Sequence, residues 1–201
     1  DDLEVREVKG KEYLYLQRVQ PGQAAGDVLC DVVPRLLQDI HWYKTMRWGT
    51  GKTEFVRPVR WLVARLGEAV VPIRFGGVTA QGCSRGHRFL APDPLAVPAD
   101  RQGYLEALRA ACVYADHDER RAVIRRQLEQ VTGEHNMSWV EDEELLDEVC
   151  WLTEWPLAVL HRFEEKYLDL PAAVLITEMK GHQRYFACRR ADGSLSNHFV
   201  A

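Results

Sequence analysis

Apolar and polar residues alternate over positions 3–8 and again over 12–19, with Lys9-Gly10-Lys11 between the two runs. A period of two with a glycine-containing break predicts a β-hairpin. Pro21-Gly22 interrupts the chain, and Ala25, Val28, Leu29, Val32, Val33, Leu36, Leu37 and Ile40 then fall at helical spacing. That helix is expected to kink at Pro34, which lacks an amide hydrogen and crowds the preceding turn. Two short strands are predicted at 59–66 and 70–75 around Gly67-Glu68-Ala69, with Gly76-Gly77 as a tight turn or bulge. Another strand is predicted at 85–90, before Pro92 and Pro94. A helix capped by Asp100 and running to Ala111, a short strand at 113–115 and a helix capped by Asp116 and running to Val131 follow. A third helix is predicted at 141–152, with Leu145, Leu146, Val149 and Leu152 on one face, and an apolar strand at 157–163. Pro171 opens a helix at 172–180 that Gly181 closes. Residues 183–190 and 195–200 flank Ala191-Asp192-Gly193-Ser194, a hairpin with an Asp-Gly turn. Hairpins interleaved with helices define an α+β class: a mixed, largely antiparallel sheet with packed helices. The division expected is a peripheral hairpin plus helix at 1–43 and an α+β core at 44–201.

Composition narrows the class. The 201 residues suffice for one sizeable core, and 46% hydrophobic with 28% charged residues is ordinary for a globular domain. No apolar run reaches about 18 residues, so no membrane span is expected. The start, Asp1-Asp2-Leu3-Glu4, and the apolar end, Asn197-His198-Phe199-Val200-Ala201, both read as cut, which points to a fragment of a longer chain. Five scattered cysteines (Cys30, Cys83, Cys112, Cys150, Cys188) form no Cys-x-x-Cys pair. They fit small buried hydrophobes in a reducing compartment, rather than a disulfide frame or zinc site.

Charge is unevenly placed within a net of −4. Residues 44–90 carry nine Lys/Arg against Glu54 and Glu68, net +7, whereas 141–154 carry seven acids and no cation. A basic block can present a cationic face to a polyanion, or its arginines can simply keep strand faces wet. Inside it, Gly49-Thr50-Gly51-Lys52-Thr53 imitates the end of a phosphate-binding loop. Met46 stands where that loop needs its first glycine, and Pro58 falls where its helix would run. An ATP site is therefore not expected. Arg47, Lys52, Arg57 and Arg60 are interleaved with Trp48, Phe55 and Trp61, a pattern suited to phosphates and unpaired bases or, for the aromatics, to a core. Arg60 can alternatively pair with a carboxylate. Arg85, His87 and Arg88 surround Gly86, a group suited to RNA contact or, alternatively, to a buried structural network; Lys180, His182, Gln183 and Arg184 gather at a helix end, where cations also complement the dipole. His117 between Asp116 and Asp118 reads as a helix cap, and no metal site or nucleophile elbow is expected.

Three blocks occur together: Met46-Arg47-Trp48-Gly49 leading into Phe55-Val56-Arg57-Pro58-Val59-Arg60-Trp61; Arg85-Gly86-His87-Arg88-Phe89-Leu90-Ala91-Pro92; and Glu154-Trp155-Pro156 followed by residues 170–176 and 179–186. In this order and spacing the chain resembles the beta subunit of the bacterial heterotetrameric glycyl-tRNA synthetase, most closely from Met46 onward. The resemblance implies an N-terminal part of a cytoplasmic ligase subunit, with the alpha subunit, glycine tRNA and the remainder of the beta chain as partners. It also implies ATP and magnesium for the whole enzyme, adenylation on the alpha subunit, and no cofactor or catalytic residue on this fragment. The RNA-binding candidates are Arg47, Lys52, Arg57, Arg60, Arg85, His87, Arg88, Lys180, His182, Gln183 and Arg184. The fold implied is similar to the editing-type domain of the phenylalanyl-tRNA synthetase beta chain. Two rival readings are a hydrolytic proofreading domain using Thr177, Glu178 and His182, and a purely structural docking domain.

Overall fold

A computed structural model describes residues 2–18 and 20–201. The chain divides into two compact units, Asp1–Gln81 and Gly82–Ala201. The division anticipated at residue 43 falls inside the first. Val19, expected at the end of the second strand, lies outside the described residues.

In the first unit, β1 (Asp2–Val8) and β2 (Lys11–Gln17) form the expected antiparallel hairpin. Lys9 and Gly10 both take positive φ (54° and 76°), the two-residue turn whose twist matches the strands. Leu3 faces Leu16 and Val5 faces Leu14, and all four side chains are exposed. Helix α1 (Ala25–Asp39) runs through Pro34. It lays Leu29, Cys30 and Val33 against a small core of Val71, Ile73 and Ala80. The two strands expected at 59–66 and 70–75 shrink to β3 (Arg65–Leu66) with β4 (Ala69–Val70), and β5 (Arg74–Phe75) with β6 (Val78–Thr79). Pro72 removes a ladder donor from the second run, and Phe55 and Phe75 join an aromatic cluster beside these short ladders. Phe55 meets Trp42 edge-on at 5.1 Å and Phe75 at 5.2 Å between ring centroids.

In the second unit, β7 (Cys83–Arg85) pairs with β8 (Pro94–Ala96), correcting the strand expected at 85–90. The chain turns instead, because the His87 ring accepts the amide hydrogens of Phe89 and Leu90. Helices α2 (Arg101–Ala110) and α3 (His117–Gly133) start where their expected caps place them, and α4 (Glu143–Leu152) starts two residues later than expected, capped by Asp142. Asp100 accepts from Gly103 N at 2.7 Å, Asp116 from Asp118 N at 3.0 Å, and Asp142 from Leu145 N at 2.9 Å. Residues 113–115 are not a strand: Tyr114 N bonds Glu154 O at 2.9 Å, and its ring stacks on Trp155 at 4.5 Å.

The sheet of this unit runs β10 (Leu160–Arg162), β12 (Leu195–Val200), β11 (Phe186–Arg190), β9 (Met137–Trp139), antiparallel throughout. β9 was not anticipated, and the strand expected at 157–163 is three residues long. Ile124 and Leu128 of α3 and Leu145, Leu146 and Cys150 of α4 close over Trp139, Phe186, Cys188 and Val200 in one core. Cys188 lies so deep that burial pushes its thiol up to about 12. Cys150 is likewise buried, but Cys83 is exposed, departing from the buried role expected of all five.

Helix α5 (Ala172–Glu178) starts after Pro171, which caps it from outside the first turn. It widens into a π turn, Met179–Gln183, that Arg184 ends at φ 61°, so Gly181 does not close it. The Arg184 guanidinium bonds the Lys180 carbonyl at 3.1 Å and the Gly181 carbonyl, satisfying acceptors that the helix end leaves open. Among the described residues no helix is long and apolar enough to cross a membrane.

Candidate nucleic-acid interface

The basic block is shared between the units, and its members have different fates. In the first unit, Met46 and Phe55 exchange backbone hydrogen bonds of 2.9 and 3.2 Å, closing the intervening residues into a loop. The Arg47 Nε donates to Glu54 Oε1 at 2.8 Å across the neck. Gly49 takes φ 56°, and Lys52 sits exposed beyond it. Residues after Lys52 run into the bridge with Met46, not into a helix, so the backbone amides cannot wrap a phosphate as a phosphate-binding loop does. Trp48 packs under this loop against Gly76, where an added Cβ would stand 2.8 Å from the indole. The loop and Gly76-Gly77 border a pocket of about 280 Å³.

Arg57 and Arg60 are exposed and form no ion pair among the described residues. Among the described residues, Arg57 donates only to the neighbouring Val56 carbonyl, at 2.8 Å. Of the interleaved aromatics, Phe55 belongs to the ring cluster and Trp48 to the loop floor, whereas Trp61 is 44% exposed. The carboxylate partner considered for Arg60 is not present among the described residues.

In the second unit, Arg85 and Arg88 are exposed, again without an acid partner among the described residues. His87 between them is half-buried, and its Nδ1 accepts from Phe89 N and Leu90 N at 3.2 Å each. That bonding makes Nδ1 an acceptor, a structural task of the kind the alternative reading of this block allowed, though the particular amides it holds were not foreseen.

The candidates at the π turn are held differently. Lys180 Nζ lies 2.7 Å from Asp142 and 3.3 Å from Glu144, and Arg184 Nε lies 2.5 Å from Glu148. From α3, Arg121 pairs with Glu143 and Asp147 of α4, and Arg125 with Glu143. The acidic block is therefore largely balanced by cations from α3 and the π turn. His182 is exposed, 3.7 Å from Glu178, and Gln183 is exposed on the border of an aromatic pocket. Thr177 donates its hydroxyl to the Ala173 carbonyl at 2.7 Å. Among the described residues, no three His, Cys, Asp or Glu gather as a cation site.

This ion-pair lattice sets an acid limit. Hydrogen bonds from Arg125 and Arg121 hold the Glu143 carboxyl below its usual range despite some desolvation. Burial works to raise Asp142, but the Lys180 ammonium and the Leu145 amide outweigh it and lower it. The Glu119 amide leads in lowering Asp116. Depressed folded values contribute stability above the unfolded carboxylate range and lose it as pH falls through the folded values, so the loss is expected below about pH 4. A thermal-unfolding series from pH 6 to pH 3 should show it, with a smaller acid-side slope in Glu143→Gln. An unchanged midpoint across that range would count against the lattice.

Comparison with known proteins adds the wider context. The chain is 46% identical over 192 residues to the glycine–tRNA ligase beta subunit of Acidobacterium capsulatum, covering 94% of this chain and 27% of that protein. It is 39% identical over 201 residues to the beta subunits of Desulforamulus reducens and of Bacillus subtilis, covering all of this chain and 29% of each. These relatives are subunits of an aminoacyl-tRNA synthetase, and the chain spans less than a third of their length. The family profile described as "Glycyl-tRNA synthetase beta subunit" matches residues 1–201, and the chain belongs to that family.

Proposed function

We propose that this chain is the tRNA-engaging and architectural part of a cytoplasmic glycyl-tRNA synthetase beta subunit, supporting the ATP-dependent attachment of glycine to its tRNA. Its partners are the alpha subunit, glycine tRNA and the remainder of the beta chain. ATP and magnesium belong to adenylation elsewhere in the enzyme. The one phosphate-loop-like segment here runs into a β-bridge, which supports that assignment.

The observation that carries the RNA reading is the contrast between paired and unpaired cations. Arg47, Lys180 and Arg184 are balanced by carboxylates of their own unit. Lys52, Arg57 and Arg60 in the first unit, and Arg85 and Arg88 in the second, are exposed and unbalanced among the described residues. Only unbalanced cations gain fully from replacing the counterions of a polyphosphate.

The test is tRNA affinity against salt, measured on the full-length beta subunit with its alpha partner. Each of Arg57→Ala and Arg88→Ala is expected to lower the salt slope by about one unit, as loss of one phosphate contact does. Charge reversal, Arg57→Glu or Arg88→Glu, should weaken binding about tenfold at low salt. Arg184→Ala should leave the slope unchanged. Slopes insensitive to Arg57 and Arg88 would overturn this assignment.

A further inference from the structure

The turn after β7 is built with unusual care for a piece of surface. Gly86 lies so close to the end of α2 that an added Cβ would stand 2.6 Å from both the Ala111 carbonyl oxygen and its Cβ, and 3.0 Å from the Ala91 carbonyl oxygen. His87 N donates to Ala111 O at 2.8 Å, and Ala91 N donates back to His87 O at 2.9 Å. The His87 ring accepts the amides of Phe89 and Leu90. The polar groups of the turn are thus tied down.

Its apolar side chains are not turned inward. Phe89 is 81% exposed and Leu90 is also exposed. A phenyl group left in water forgoes burial that normally favours folding, so a fixed turn displaying one marks a surface awaiting something. Arg88 immediately precedes Phe89 in sequence and Arg85 lies four residues before it, and Asp93 is the one acid in residues 82–99. Two arginines with a single nearby acid favour an anionic partner over a neutral one. An unpaired nucleotide calls for both a flat apolar face and a cation.

We propose that Phe89 is a stacking platform for an unpaired base of the bound RNA, with Arg85 and Arg88 on the adjoining phosphates. This rests on the tRNA-binding reading above and specifies it: the turn engages a single-stranded segment, not a duplex. Stacking on an aromatic face tolerates any base, so this platform supplies affinity and placement with little sequence preference.

The full-length subunit with its alpha partner supplies the test, using glycine tRNA, a single-stranded oligoribonucleotide and an RNA duplex of equal length. Phe89→Ala should weaken tRNA and single-strand binding at least about fivefold, the lower range of a lost base stack. The salt slope and duplex binding should stay unchanged. Phe89→Trp should restore affinity, whereas Phe89→Leu, apolar without a π face, should not. Wild-type affinities in Phe89→Ala, with slopes still sensitive to Arg88, would overturn stacking while leaving tRNA binding intact. Recovery by Phe89→Leu, or loss of alpha-subunit assembly with RNA affinity kept, would reassign the turn to protein docking and also overturn it. Absence of RNA binding at any salt would remove both readings.

Discussion

Replacing Leu146 with alanine should cost about 3–4 kcal/mol, the middle of the range for a buried leucine truncated to alanine. Leu146 is 0% exposed. It sits among Ile124 and Leu128 from α3, Trp139 from β9, Phe186 and Cys188 from β11, and Val200 from β12. Helix on one side and paired strands on the other both resist moving in, so the deleted methyl groups leave a cavity. Urea denaturation should show a lower midpoint with little change in slope. Amide exchange should accelerate in α3, α4 and the four-stranded sheet, and not in the first unit. A loss below about 1 kcal/mol would mean that the core repacks freely, contrary to the framework described.

Arg120→Met is expected to lose about 3 kcal/mol, for a different reason. Arg120 is 9% exposed, and its Nε and Nη1 donate to the carbonyls of Cys150 at 2.7 Å and Tyr114 at 2.5 Å. Cys150 lies in the last turn of α4, which has no basic residue of its own. The guanidinium supplies both the missing donor and the cation favoured at a helix C-terminus, 5.8 Å from the Trp151 ring. Methionine keeps the volume but leaves two inward-facing carbonyls unsatisfied, each worth about 1–3 kcal/mol. Arg120→Lys should recover only part of the loss, because a single ammonium cannot reproduce the planar fork that bridges two acceptors. Equal stability of Arg120→Met and wild type in thermal unfolding would show that water replaces the guanidinium without penalty.

Much of this framework is written locally. Asp100 and Asp116 mark helix starts because a carboxylate two or three residues before an amide has one geometry to satisfy. Lys9-Gly10 and Asp192-Gly193 mark hairpin turns because positive φ has few tolerant residues. The readings that failed depend on partners distant in sequence or on unusual local bonding. The His87 ring satisfies amides that a strand would have used, and that choice is invisible to an alternation count. β9 is only three residues long and exists through its pairing with β11, some 50 residues later. Arg184 ends the α5 segment by reaching back to its own turn and across to Glu148. The site was legible in the same uneven way. The residue types at 47–60 and 85–88 were visible, but which arginines lacked acids was not. Lys180 and Arg184 meet acids 36 residues earlier, on a helix that carries no cation of its own.

The order in which the second core is assembled has a consequence during synthesis. Val200 is 0% exposed and belongs to the same core as Ile124 and Leu128. A ribosome adding about 5–20 residues per second makes β12 several seconds after α3, and longer still before β12 clears the exit tunnel. Until β11 and β12 follow, the apolar faces of α3 and α4 have only β9 of their covering core strands. The nascent chain therefore carries a timed vulnerability to aggregation, set by topology, during which a chaperone able to hold amphipathic helices has its best opportunity to engage.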